Sequence, residues 1–344
     1  MKQPPKKWLW RLAKLAIVAL VLGAVWHTFQ HDRSRLSDYH WHVRVGWLGL
    51  SAGLYILGIL PAAWFWHYVL NALGQEAGLA EAIRAYYIGH LGKYVPGKAL
   101  VVVLRAGLVR SHRVSASLAA VSVFFETFTM MAVGGFISAA ILASWFREHQ
   151  VLFWGSLGAM VCSGLPTFPP VFKWAVRITG VGGSDATTLE KIDKLGAGAL
   201  LVGWGAMTVG WVLLALSYWA VLMGMGVEGT RPLADLPRYT AGVCLAVVAG
   251  FLSFIPGGFF AREAVLKEMM EPYFRLVAAP LDPSAAATIS AVLLRLVWLV
   301  SELAVSVILY LAGRRALGSQ SVTVGEDLRP LDSASAHPSP APRP

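Results

Sequence analysis

The stretch GHLGKYVPGKALVVVLR, residues 89–105, interrupts an apolar region of the chain with a Pro-Gly dipeptide and several charges. A second stretch, SFIPGGFFARE at residues 253–263, has the same character. Every backbone group of a membrane span must be bonded within the protein, so a broken helix at membrane depth is stable only around a protein-lined or water-filled cavity. Charges at that depth are costly and typical of functional sites. The two stretches therefore indicate where the function lies.

The composition around these stretches is that of a membrane protein. Of the 344 residues, 56% are hydrophobic and only 14% are charged, against about 25% charged in a soluble domain. Long apolar runs recur, and about 20 such residues cross a bilayer. We predict an all-α polytopic membrane protein with a helical domain over residues 1–313. The tail at 314–344 is rich in Ser, Pro and Ala and is predicted to be disordered and cytoplasmic.

Six full spans are predicted in the apolar runs, at residues 9–29, 45–70, 114–146, 151–170, 196–226 and 285–312. Two further segments, 86–109 and 239–270, are too interrupted for ordinary spans and are predicted to be re-entrant hairpins. Their helix breaks are assigned to two groups of residues, Pro96 and Gly97 in the first segment and Pro256, Gly257 and Gly258 in the second.

The net charge of +10 is scattered over loops, so no compact basic domain for nucleic acid is present. The positive-inside rule then places both termini in the cytoplasm. The distribution of Lys and Arg over the loops also predicts that the first broken segment enters the membrane from the cytoplasmic side and the second from the opposite side. Opposite directions predict an inverted repeat with halves at about 40–150 and 196–313. YVPG at 94–97 echoes FIPG at 254–257, and AAVS at 119–122 echoes ATIS at 287–290.

Cations cluster at the first break. Lys93 and Lys98 flank Pro96-Gly97, and Arg105 follows Lys98 by about two helical turns. Guanidinium and ammonium groups bind phosphate, so these residues predict a pocket for an anionic headgroup. The alternative is that the lysines extend to the cytoplasmic surface and fix the depth of the hairpin.

Carboxylates accompany the cations. Glu126 lies inside an apolar span, where it either pairs with Arg105 or another cation, or couples protons or receives a substrate amine. In the second segment Glu263 and Lys267 have the i,i+4 spacing of a pair, which leaves Arg262 as the freer cation. Arg295 and Glu302 lie about two turns apart on one face of the last span.

We predict that the cations bind the headgroup and that the carboxylates balance their charge. The predicted substrate-binding residues are Lys93, Lys98, Arg105, Glu126, Arg262, Glu263, Arg295 and Glu302. A purely structural charge network is the alternative reading of the residues after 260. No metal site, cofactor site or catalytic motif is expected, because Cys162 and Cys244 lie far apart and His90 is only a weak candidate base.

Four motifs follow one another along the chain: GKYVPGK, SVFFE ending at Glu126, SFIPGGFFARE, and LLR at Arg295. In the order of these motifs the chain resembles the lysylphosphatidylglycerol synthase transmembrane-region family over about residues 40–313. The resemblance implies an inner-membrane protein that moves or presents lipids with modified headgroups, or that serves glycosyltransferases using lipid-linked sugars. The chain shows no soluble aminoacyl-transferase domain, so synthase activity is not expected. Phe259 and Phe260 replace a smaller turn and are expected to reshape the pocket.

The expected function is therefore to bind and flip a phosphate-bearing, aminoacylated or glycosylated lipid across the inner membrane. Membrane lipids are the expected partners, with a glycosyltransferase or a lipid-modifying enzyme as a further candidate. Two alternatives stay open at this stage. The chain is an intramembrane headgroup transferase, or it is a membrane partner of a glycosyltransferase that transports nothing.

Overall fold

The computed structural model describes residues 43–95, 99–109, 114–179, 186–227, 229–277 and 282–326. The regular elements in these ranges are helices: α1 Val45–Ala72, α2 Leu79–His90, α3 Ala99–Val109, α4 Ala116–Trp145, α5 Gln150–Gly164, α6 Pro169–Thr179, α7 Ala186–Asp193, α8 Ala197–Gly224, α9 Leu236–Leu252, α10 Ala261–Val277 and α11 Pro283–Glu326. Short 3-10 turns lie at Leu91–Tyr94, Leu165–Thr167 and Pro256–Gly258. The all-helical prediction is confirmed over the described ranges.

Four of the helices are long and apolar enough to cross a bilayer, namely α1, α4, α8 and the Pro283–Gly313 part of α11. They correspond to the predicted spans at 45–70, 114–146, 196–226 and 285–312. The predicted span at 9–29 lies outside the described residues. Helix α11 continues through Glu326, so residues 314–326 of the tail that was predicted to be disordered are helical, and the rest of that tail lies outside the described residues.

The span predicted at 151–170 is broken. Helix α5 with its 3-10 turn and helix α6 are long and apolar enough to cross a bilayer only when they are taken together, and their axes differ by 60°. Pro166, Pro169 and Pro170 fall at the bend. Because proline has no backbone N–H and its ring clashes with the preceding turn, a straight helix cannot continue there.

Helices α1 and α8 pack closely through small residues. A methyl group added to Gly210 would lie 2.8 Å from the Gly58 carbonyl oxygen, and one added to Gly203 would lie 2.4 Å from the Phe65 ring. Small residues let helix backbones approach in a membrane, where lipid gives no hydrophobic drive for association. The α1–α8 pair thus forms the centre of the bundle.

Two helices, α4 and α11, are tied to this centre in the same way. On α4, buried Ser122 accepts a hydrogen bond from Trp66 Nε1 of α1 at 2.8 Å and donates to the carbonyl three residues earlier. On α11, buried Ser290 makes the same bond to its own chain and meets the Tyr218 hydroxyl of α8 at 2.8 Å. The two serines occupy equivalent places in AAVS and ATIS.

The two broken segments fold as helical hairpins. In the first, α3 runs back along α2, since a methyl group added to Gly89 would lie 2.5 Å from Arg105 Cγ. In the second, α10 runs back along α9, and Gly250 leaves room for the Arg262 side chain in the same way. Pro96 and Gly97 lie outside the described residues, whereas Pro256–Gly258 forms a turn with Gly257 at φ 61° and Gly258 at φ 70°. Glycine is the residue suited to those angles.

The tips of the two hairpins meet. The rings of Tyr94 and Phe259 lie 6.4 Å apart, and the Gly257 backbone lies against the Tyr94 ring, so that a methyl group added to Gly257 would come within 2.7 Å of it. Arg295 of α11 closes the junction by donating from Nη2 to the Gly257 carbonyl oxygen at 2.8 Å. The fold therefore brings the two charge-bearing stretches of the sequence into contact.

Candidate functional site

At the first hairpin, Arg105 and Glu126 form a buried ion pair. Arg105 Nη1 donates to Glu126 Oε2 at 2.6 Å, and the Tyr86 hydroxyl donates to Oε1 at 2.8 Å. The two charged side chains are 3% and 1% exposed. The guanidinium also stacks 3.6 Å from the centre of the Tyr86 ring. Glu126 is therefore held by a cation, the structural one of its two predicted roles.

A second ion pair joins the first hairpin to the last helix. Lys93 Nζ donates to Glu302 Oε1 at 2.5 Å, and the Tyr55 hydroxyl of α1 donates to the same oxygen. Glu302 is 3% exposed and Lys93 is 15% exposed. The other carboxylate oxygen, Oε2, is buried and has no hydrogen-bond partner within the described ranges. A carboxylate with a free oxygen in this setting is incompletely satisfied.

His90 lies between these two ion pairs. Its Nε2 is 2.9 Å from Lys93 Nζ, and its Nδ1 is 3.3 Å from Arg105 Nη2. The ring also stacks on Tyr86, one helical turn earlier on α2, with centroids 6.0 Å apart. The result is one continuous polar network that runs from Glu302 to Glu126 through the core of the bundle.

At the second hairpin, Arg295 binds Glu263. Its Nη1 lies 3.1 Å from Glu263 Oε1, although the N–H is not aligned for a hydrogen bond. The guanidinium also lies 4.0 Å from the centre of the Phe259 ring. The predicted Glu263–Lys267 pair is wrong, because Glu263 turns inward to α11 and Lys267 faces Glu268 and Glu271 instead.

Arg262 has no such partner. In the part of the chain that the structure describes, no carboxylate lies within ion-pair distance of it, and its Nε is buried without a hydrogen-bond partner. The side chain packs against the backbone of Gly250 and Gly258, where an added methyl group would come within 3 Å of it. Arg262 is thus the freer cation, although the reason differs from the predicted one, because Glu263 pairs with Arg295 and not with Lys267.

A small cavity opens beside these charges, between α9, α10 and α11. Its volume is about 30 Å³, room for one or two water molecules. Its lining includes the charged residues Arg262, Glu263 and Arg295 and the apolar residues Val247 and Trp298. The cavity therefore places water-sized space beside the Arg262 side chain.

The structure gathers seven of the eight predicted site residues into one region, and Lys98 lies outside the described residues. Sequence reasoning missed Tyr55 and Tyr86, which satisfy the carboxylates, and gave His90 too little weight. One signal was available, since Tyr86 and His90 are spaced i,i+4 and so share a helix face. Within the described ranges no three His, Cys, Asp or Glu side chains form a group that could hold a metal ion.

Comparison with known protein families gives a match over most of the chain. The family model described as "Lysylphosphatidylglycerol synthase TM region" matches residues 11–305. No curated protein and no solved structure matches the chain significantly.

Proposed function

We propose that this chain, which belongs to the lysylphosphatidylglycerol synthase TM region family, binds a lipid headgroup at the junction of the two hairpin tips. Membership of the family indicates a lipid-related function in the membrane. The lipid is phosphate-bearing, or aminoacylated or glycosylated, and it is translocated between the leaflets of the inner membrane. The acyl chains stay in the bilayer.

The uncompensated charge of Arg262 carries this proposal. Arg262 is the one cation of the described network that has no carboxylate within ion-pair distance. Arg262 is half-buried, and its Nε is shielded from solvent. A charge without a partner is unfavourable in such a place, so an anion that reaches Arg262 is stabilised. A guanidinium suits phosphate because it binds two oxygens at once.

The cations have unequal shares in headgroup binding. Arg105 is enclosed by Glu126 and Tyr86, and so its part in our proposal is to hold the first hairpin in place. Arg262 is the primary ligand, with Arg295 and Lys93 beside it. Lys98, at the first break, is retained as a further ligand. The three carboxylates balance charge.

We propose that the hairpins are re-entrant and that the two halves of the bundle form an inverted repeat with six full spans and both termini in the cytoplasm. The order of elements supports this, since span, hairpin and span recur in α1 to α4 and in α8 to α11. The equivalent bonds of Ser122 and Ser290 support it as well. Repeats of this kind place substrate where two discontinuous helices meet.

Reconstitution into liposomes tests the proposed function. Fluorescent phosphatidylglycerol is placed in both leaflets, and a membrane-impermeant reductant bleaches the label in the outer leaflet. Bleaching that continues past half the label, without a change in the lipid itself, is the expected result. A covalently altered lipid identifies a headgroup transferase instead. If the label is neither exchanged nor altered and a glycosyltransferase is captured, the chain is a scaffold.

A matched pair of variants connects the assay to the site. Arg262→Gln removes the uncompensated charge and is expected to slow exchange at least about tenfold, the effect of one lost charged contact of about 1.4 kcal/mol or more. Lys267→Gln removes a charge one turn away on the same helix, where Lys267 is 33% exposed and faces acidic residues. It is expected to leave exchange unchanged. Equal rates in the two variants would refute the role of Arg262.

A further inference from the structure

The hydrogen-bonding groups around His90 do not match the usual charges of their side chains. Lys93 Nζ faces its Nε2 at 2.9 Å and Arg105 Nη2 faces its Nδ1 at 3.3 Å. An ammonium group and a guanidinium group are donors only. A neutral imidazole, however, has one acceptor nitrogen and one N–H. If Lys93 and Arg105 are both charged, the ring nitrogen of His90 that carries the N–H therefore always faces another hydrogen-bond donor.

The possible proton arrangements differ in how many of these contacts they satisfy. If His90 is an imidazolium, both of its N–H groups face a donor. If His90 is neutral and Lys93 is an ammonium, one donor-to-donor contact remains. A neutral Lys93 amine resolves both contacts, and its contact with Glu302 is then a hydrogen bond to a carboxylate in place of an ion pair. The amine accepts from His90 Nε2–H with its lone pair, donates an N–H to Glu302 Oε1, and leaves Nδ1 to accept from Arg105.

The charge balance of the network agrees with this arrangement. With Lys93 neutral, the positive charges are Arg105, Arg262 and Arg295. They equal the three negative charges of Glu126, Glu263 and Glu302, so the described network is neutral when no ligand is bound. Among the residues that the structure describes, the side chains that face Lys93 and His90 from the elements packed around them are Tyr55, Tyr86, Tyr94, Arg105, Glu126, Arg262, Arg295 and Glu302. None of the cations among them is free to accept a hydrogen bond.

We infer that His90, Lys93 and Glu302 form a proton-binding site, and that an anionic headgroup bound at Arg262 is accompanied by the uptake of one proton on Lys93. The inference rests on the proposed function for its ligand. A solvent acid, hydronium or buffer, gives up the proton, and its bond to that proton breaks as an N–H bond forms on the lone pair of Lys93 Nζ. The lone pair then no longer accepts the hydrogen bond from His90 Nε2–H. The new ammonium group is then a second cation for the headgroup.

The inference has a defined pH dependence. Because a bound monoanion favours the ammonium form of Lys93, proton and headgroup bind with positive coupling, which is reciprocal. Above the pH at which the free site loses its proton, Kd is expected to rise about tenfold per pH unit. Below that pH the site is already protonated and Kd levels off.

Calorimetry counts the proton. Dihexanoyl phosphatidylglycerol is titrated into the purified full-length chain at about pH 8 in two buffers of different ionisation enthalpy, and uptake of about one proton per bound lipid is expected. Lys93→Arg keeps a positive charge that does not titrate, so proton uptake per bound lipid is expected to fall to zero. Lys267→Arg is the matched control and keeps the uptake. Binding by the unaltered chain without uptake would overturn the inference and leave the proposed function standing.

A measurement without ligand separates the two proposals. Nitrogen NMR of labelled histidine, with the His90 signal assigned by its loss in His90→Gln, is expected to show a neutral ring protonated on Nε2 at about pH 8. A ring protonated on Nδ1, or an imidazolium, would overturn the inference. The expected tautomer combined with no binding of the probe lipid would support the proton site and count against the proposed function.

Discussion

Removing the Glu126 carboxylate is expected to destabilise the protein more than any surface change. Glu126→Ala leaves the Arg105 guanidinium, 3% exposed, without the charge that it binds at 2.6 Å. Breaking a buried ion pair by removing one partner costs about 3–5 kcal/mol, because the remaining charge is uncompensated. The Tyr86 hydroxyl loses its acceptor in the same step. We expect a loss in free energy of unfolding within that range.

A double variant separates the burial of a charge from the loss of packing. Arg105→Met with Glu126→Leu replaces both partners by apolar groups of similar size, and it is expected to be more stable than Glu126→Ala alone. Unfolding in mixed detergent micelles, followed by circular dichroism, gives the free energies. Glu271→Ala is the control, because Glu271 pairs with Arg275 at an exposed site, where such pairs contribute about 0–1 kcal/mol. A cost for Glu126→Ala as small as that of the control would refute the buried pair.

Three further changes test other parts of the fold, each by the same unfolding measurement. Gly134→Leu drives a side chain into Trp211, since even a methyl group would lie 2.6 Å from its ring, and is expected to cost about 1–3 kcal/mol; an unchanged stability would contradict the α4–α8 contact. Gly257→Ala places a Cβ at φ 61° and 2.7 Å from Tyr94, and is expected to cost about 1–2 kcal/mol and slow lipid exchange; normal exchange would argue against the tip contact. Asp235→Ala removes the acceptor of a tyrosine hydroxyl at 2.8 Å and is expected to cost about 1–3 kcal/mol; no loss would show that this bond is not needed.

Much of the fold follows from hydropathy alone. Spans such as 45–70 and 196–226 are long apolar runs with few charges, and the structure has helices there because the bilayer leaves the backbone no other way to satisfy its bonds. The Pro-Gly interruption at 256–258 also predicts the observed turn. The bend between α5 and α6 was missed, although Pro166, Pro169 and Pro170 marked it.

Partners within the site were harder to predict than its members. Local spacing pairs Glu263 with Lys267, yet Glu263 pairs with Arg295 on another helix. An i,i+4 pair contributes only a few tenths of a kcal/mol, less than the need to compensate a charge in the interior. His90 could not be recognised as a junction either, since its neighbours Lys93 and Arg105 come together only when α3 folds back on α2. Tertiary contacts decide such pairings, and sequence spacing does not encode them.

Photo-labelling tests the central claim, that the headgroup binds at Arg262 where the hairpin tips meet. Phosphatidylglycerol with a diazirine on its headgroup is incorporated with the protein into liposomes, irradiated, and located by mass spectrometry of the peptides. The account predicts label on the peptides of both tips, around Lys93 and around residues 250–262, reduced by excess unlabelled phosphatidylglycerol and by Arg262→Gln. Label confined to the outer surfaces of the bundle, and unaffected by that variant, would contradict it.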